Sequence, residues 1–208
     1  MDESDLMAAA GLPAEKAELL RHLHRFTGER LEGAQACRDR AVAALEETRD
    51  ARADLHAFLR ECWEALDGLA REVNACMEHL FPHAGLYPPM EMTRQCTFYV
   101  LRMKLHERPE TAGHPVSQLL WQQTRDSPAE AYQRLSFLYN LSLFFPLSLV
   151  EGRLPGSADL PPTVRGVLKT ADVAGCEAAE GMDAILRWLN GFVQECYRRL
   201  ARAIQSDA

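Results

Sequence analysis

The sequence has no proline between Pro13 and Pro82, so nothing in that span forces a helix to stop. It also lacks the short patterns that commit a chain to a known chemistry. No Cys-x-x-Cys, His-Glu-x-x-His or glycine-rich phosphate loop occurs, which excludes the common zinc, metalloprotease, P-loop and dinucleotide signatures. No glutamate is followed three residues later by histidine, so the paired ligands of a di-iron bundle are missing. Lysine is scarce, at Lys16, Lys104 and Lys169, and the net charge is −7. That balance opposes generic attraction to phosphate backbones, and DNA is not an expected partner. The longest apolar stretch, Phe137 to Val150, contains Asn140 and Pro146 and is too short to span a bilayer as a helix. Met1-Asp-Glu-Ser-Asp-Leu6 has neither the basic nor the apolar region of a secretory signal. The six cysteines are scattered singly, as reduced thiols used as small hydrophobes would be. A cytoplasmic protein without metal, cofactor or membrane contact is the expectation.

What is present is helical periodicity. From about Leu31 to Phe81 the positions Ala41, Leu45, Thr48, Arg52, Leu55, Leu59, Cys62, Leu66, Leu69, Val73, Cys76 and Leu80 alternate in steps of four and three, a helical seam rather than a strand pattern. A helix of that length would run about 75 Å, more than a compact domain of this size covers. One half, about 31 to 48, is therefore expected to project, bend or pack on another subunit. Its small residues Ala34, Cys37, Ala41 and Ala44 would permit close helix approach.

The 208 residues suit one domain, with residues 1–48 as an N-terminal helix plus the projecting or dimerising half and residues 49–208 as the bundle core. Pro13 starts a short helix that ends near Gly28. Pro82, Gly85, Pro88 and Pro89 close the long tract, and a further helix runs from about Thr93 to Glu107. Pro115 opens a short helix. Ser127-Pro-Ala-Glu130 reads as a capping box at the start of a central, apolar helix. A loop over 151–163 precedes a last long helix near 164–204, whose Arg198, Arg199 and Arg202 suit the negative pole of its dipole. No strand pattern competes. The architecture expected is all-α, an antiparallel bundle of five or six helices with one very long helical tract.

Among candidate site residues, His79 and His83 are four apart, but Pro82 lies between them, so they read as helix-terminal groups rather than metal ligands. Trp63, Asn74, Tyr139 and Asn140 are polar or amphipathic groups set in the most apolar helices. They serve either as register-fixing hydrogen-bonders or as the polar lining of a small-ligand pocket.

The layout of long antiparallel helices, the Arg108 to His114 loop and the Tyr139-Asn140 pair in a late core helix together resemble the HEPN superfamily (higher-eukaryote and prokaryote nucleotide-binding) over about residues 55–204. That resemblance implies a helical bundle, in many members a metal-independent ribonuclease with an arginine, four to six intervening residues and a histidine, often completed by dimerisation. The arginine would then stabilise phosphate charge and the histidine transfer a proton. Arg49 to His56 and Arg108 to His114 fit the spacing. Arg108 is followed by Pro109 where the family usually has a polar residue, and Arg49 and His56 fall in an expected mid-helix. These departures favour an inactive member. The function expected is a noncatalytic, homodimeric helical interaction module, with a possible protein partner. RNA enters only under a ribonuclease or toxin-antitoxin alternative, and a small-ligand-binding bundle is the third reading.

Overall fold

The computed structural model describes residues 14–88, 95–126, 128–145, 147, 149, 152–168 and 172–207. Eight α-helices are present among them: α1 (Ala14–Glu46), α2 (Arg52–Leu80), α3 (Phe98–Glu107), α4 (Pro109–Ala112), α5 (Pro115–Trp121), α6 (Glu130–Phe144), α7 (Pro162–Leu168) and α8 (Ala178–Asp207). The all-α class is as expected. The count passes six because α4 is a short proline-started helix where a loop is expected, and because α7, also proline-started, stands apart from α8 where one last helix is expected. Two strands, β1 (Arg153–Leu154) and β2 (Cys176–Glu177), pair antiparallel, which the sequence reading missed because a two-residue strand has no periodicity to detect.

The chain separates into two compact units, one comprising Met1–Glu29, Glu64–Ser127 and Gly191–Ala208, the other Arg30–Trp63 and Pro128–Asn190. In the first unit, the start of α1 runs antiparallel to the end of α2, as the Lys16–Glu78 pair at 2.6 Å and the Thr27–Glu72 bond show. Leu20, Leu23 and Thr27 form one buried face of α1, and Leu66, Leu69, Val73 and Cys76 one of α2. Gly68 lets the two come close: a Cβ there would lie 2.6 Å from Thr27 Oγ1. Thr97 caps α3, its side chain accepting from the Val100 amide, while Asp67 accepts from the Phe98 amide at 2.8 Å. His114 caps α5, and Phe192 of α8 meets Phe98 edge-on at 5.9 Å.

In the second unit, Arg30 pairs with Glu61 at 3.0 Å and Arg40 with Asp54 at 2.8 Å, again the signature of antiparallel α1 and α2. Ala34, Cys37, Ala41 and Ala44 are buried here. The start of α8 fits closely against the strand pair, since a Cβ on Gly181 would meet Leu154 Cδ1 at 2.6 Å and Cys176 Sγ at 2.7 Å.

The long tract differs from expectation at its start and in its middle. Helix α1 passes through Gly28, because one glycine costs only about 1 kcal/mol in a helix and buried residues anchor it on either side. The tract then breaks at residues 47–51. The Arg49 amide donates to the Ala44 carbonyl at 2.7 Å and the Thr48 amide to that of Leu45 at 3.1 Å, a Schellman C-cap with Thr48 at the left-handed position, φ 56°. Asp50 then accepts from the Arg52 amide at 3.0 Å and starts the next helix. The seam is buried on both sides of the turn and fails at it, where Thr48 and Arg52 are exposed. A hairpin removes the excess length that called for projection.

Thr48 is a β-branched residue in a conformation that glycine adopts without strain. Thr48→Gly is expected to raise unfolding stability by about 1 kcal/mol. Urea denaturation followed by helical circular dichroism measures this; a loss of stability would show that the threonine side chain holds the turn.

Three other boundaries shift. Thr93 lies outside the described residues, and α3 begins at Phe98 after its Thr97 cap. Ser127 also lies outside them, but Glu130 is the first residue of α6 rather than its third. The N-cap is Ala129, without a side-chain bond, and Glu130 instead pairs with Arg134 at 3.0 Å. The last helix is divided into α7 and α8, with the strand β2 opening directly into α8. Helix α6 buries Phe137, Leu138 and Leu141 but leaves Leu143 and Phe144 exposed, so its apolar character is not fully spent on the core.

Candidate functional site

Most of the residues singled out from sequence have partners within the fold, some near in the chain and some far. Trp63 and Tyr139 stack on each other, centroids 4.6 Å apart and planes 3° from parallel. Asn140 donates to the Ser136 carbonyl at 2.7 Å. Asn74, in the other unit, donates to the Tyr87 carbonyl at 2.8 Å and accepts from the Tyr87 amide at 3.1 Å, fastening the chain after α2. Arg49 pairs with Glu47 at 2.6 Å, and His56 Nε2 accepts from the Leu147 amide at 3.4 Å. Arg49 lines an open depression of about 600 Å³ at the α1–α2 turn with Thr48, Asp50, Arg52 and Gly152. There Arg52 holds the Asp50 carboxyl down to about 2 through side-chain and backbone hydrogen bonds. Arg108 is the exposed N-cap of α4.

Two constellations emerge that the sequence did not announce, both in the first unit. The first is Glu72, whose residue is 0% exposed. Its Oε1 accepts from the Thr27 hydroxyl and from the Tyr197 hydroxyl at 2.9 Å, and its Oε2 lies 3.1 Å from His24 Nδ1. A buried carboxylate survives only with such partners. Burial, reinforced by the Glu72 charge, pushes the Tyr197 hydroxyl far above its ordinary range, so it remains a donor. The His24 and Tyr197 rings lie 4.9 Å apart and close this cluster.

The second is a cleft of about 500 Å³ lined by Phe81, His114, Pro115, Glu195, Arg199, Arg202 and Ala203. His114 enters it not with Arg108 but with two arginines of α8. Its Nδ1 accepts from the Val116 amide at 3.2 Å, so a neutral His114 carries its proton on Nε2. Its ring meets Phe81 nearly perpendicular, 5.6 Å between centroids. Arg199 donates from Nε to Glu195 at 2.9 Å and from Nη1 to the Pro115 carbonyl at 2.9 Å. Glu195 is held below the ordinary carboxylate range chiefly by the Arg199 hydrogen bond, with Arg198 and Arg202 adding to it.

Thiol chemistry has little footing. Burial pushes Cys76 and Cys96 up to about 12, and Cys62 and Cys196 also rise with burial, so these four stay protonated near neutrality. Among the described residues no group of three or more His, Cys, Asp and Glu side chains could hold a metal ion, and no helix is long and apolar enough to cross a membrane. Glu72 could have been noticed from its place between the seam residues Leu69 and Val73, and Thr27 from its helical spacing with Leu20 and Leu23. The return of Tyr197 to both of them leaves no trace in local pattern. Comparison of the chain with protein-family models, with curated proteins and with solved structures finds no match.

Proposed function

We propose that the chain is a noncatalytic helical interaction module that pairs with a second copy of itself. The observation that carries this reading is the end of α6, where Leu143 is 57% and Phe144 64% exposed. Adjacent large apolar side chains left in water gain free energy when covered. Pairing about a two-fold axis sets the same patch on both sides, so one feature supplies both halves of the contact. The stripe Ala34, Cys37, Ala41 and Ala44 is no longer a basis for pairing, because it is buried within the chain itself. The noncatalytic part rests on the separation of the two spaced pairs: Arg49 is tied to Glu47 and His56 to Leu147, while His114 lines a cleft without Arg108, and a HEPN-like ancestry would fit it as an inactive member.

Light scattering at micromolar concentration is expected to give the mass of a dimer, and Leu143→Ser with Phe144→Ser to give a monomer of unchanged helicity. A monomeric parent protein, or a dimer indifferent to both substitutions, would refute the pairing. RNA cleavage in EDTA that is lost on His56→Ala or His114→Ala, with folding retained, would refute the noncatalytic part.

A further inference from the structure

We infer that the cleft between the start of α5 and the last turns of α8 binds a small organic carboxylate with an apolar body. The inference is independent of self-pairing through α6. Three properties of the cleft point to that ligand class.

Charge is the first. Arg199 and Arg202 are three apart on α8 and so share a face, and both line the cleft. Among the described lining residues the acid is Glu195, which pairs with Arg198 and Arg199, and two arginines face it across the same wall. Guanidinium groups hold carboxylates in a planar, two-bonded geometry.

Pre-organisation is the second. The Arg199 guanidinium is held from two directions, by Glu195 and by the Pro115 carbonyl. His114 is fixed by its cap to Val116 and its edge contact with Phe81. A wall whose side chains are already placed loses little freedom on binding.

The third is the mixture of surfaces. Phe81 and Pro115 supply an apolar wall beside the arginines, and about 500 Å³ lies in the range of small-molecule sites. An inorganic anion would use the arginines and leave that wall in water. A carboxylate attached to a ring or short hydrocarbon would use both.

The test uses the full chain, with benzoate as the probe and inorganic phosphate as the comparison, by isothermal titration and thermal unfolding. Benzoate is expected to bind saturably and raise the unfolding midpoint, with phosphate far weaker. Arg202 is exposed, so Arg202→Ala should keep the fold while weakening benzoate about tenfold; Phe81→Leu should weaken benzoate and leave the phosphate response unchanged. No saturable benzoate binding at millimolar concentration would overturn the inference. So would binding unaltered by Arg202→Ala, or phosphate binding as tightly as benzoate, which would reduce the cleft to generic positive charge.

Discussion

Glu72→Ala is expected to lower unfolding stability by about 3 kcal/mol, the range for removing one member of a buried charged network. The substitution leaves the Thr27 and Tyr197 hydroxyls without their shared acceptor and opens a space where the side chain was fully buried. Tyr197→Phe removes one donor and keeps the ring, so about 1.5 kcal/mol is expected. Because both act on the same carboxylate, the double variant should lose less than the sum of the two. Urea denaturation of the four proteins gives the cycle. A Glu72→Ala protein as stable as the parent, or strictly additive losses, would mean that the carboxylate is solvated and the cluster is not a unit.

Gly156→Ala should be nearly as damaging, at about 2 to 3 kcal/mol. Gly156 has φ −95°, open to any residue, so its penalty is purely one of space. A Cβ there would come within 2.6 Å of the Val173 carbonyl oxygen and 2.9 Å of the Ala174 carbonyl carbon, and closer still to the Gly175 amide nitrogen. All three are backbone atoms, which no rotamer change can move aside. The same backbone is tied down by the Ser157 amide on the Val173 carbonyl at 2.7 Å and the Val173 amide on Ser157 Oγ at 3.1 Å. Gly28→Ala is the matched control: it sits in α1 with nothing within 4 Å of its Cβ position, and alanine there should gain about 0.5 to 1 kcal/mol. Thermal unfolding of both variants decides the matter, and a neutral Gly156→Ala would show that the backbone at Val173, Ala174 and Gly175 yields without loss.

The contrast between those two glycines also marks what the sequence could reveal. Periodicity located the buried faces of α2 and α8 because burial repeats along one helix: Leu55, Leu59, Cys62, Leu66, Leu69 and Val73 are all buried, as are Ile185, Leu189, Phe192, Cys196 and Leu200. The tract divides near residue 48, where a bend is among the expected outcomes, but a full hairpin is not legible there, since Thr48, Asp50 and Arg52 are all tolerated in helices and the turn is set by backbone hydrogen bonds closing back on Ala44 and Leu45. Arg198, Arg199 and Arg202 were legible only as helix-end charges. That two of them face a cleft with His114 depends on α5 and α8 meeting across 84 positions, from Pro115 to Arg199, and no local window contains that information. The capping-box pattern misplaced the start of α6 because the residues suited to a cap need not be where the helix begins.

The partners of Glu72 also impose an order of assembly. Thr27 reaches the carboxylate across 45 positions and Tyr197 across 125. Loop closure grows more costly with the length of chain enclosed, and helices joined by a short turn find each other soonest. The α1–α2 hairpin can therefore form while the acid has only its threonine and histidine. The tyrosine, arriving with the final helix, donates the last hydrogen bond to a carboxylate that the hairpin already encloses, so the hairpin alone leaves Glu72 one donor short and α8 supplies it.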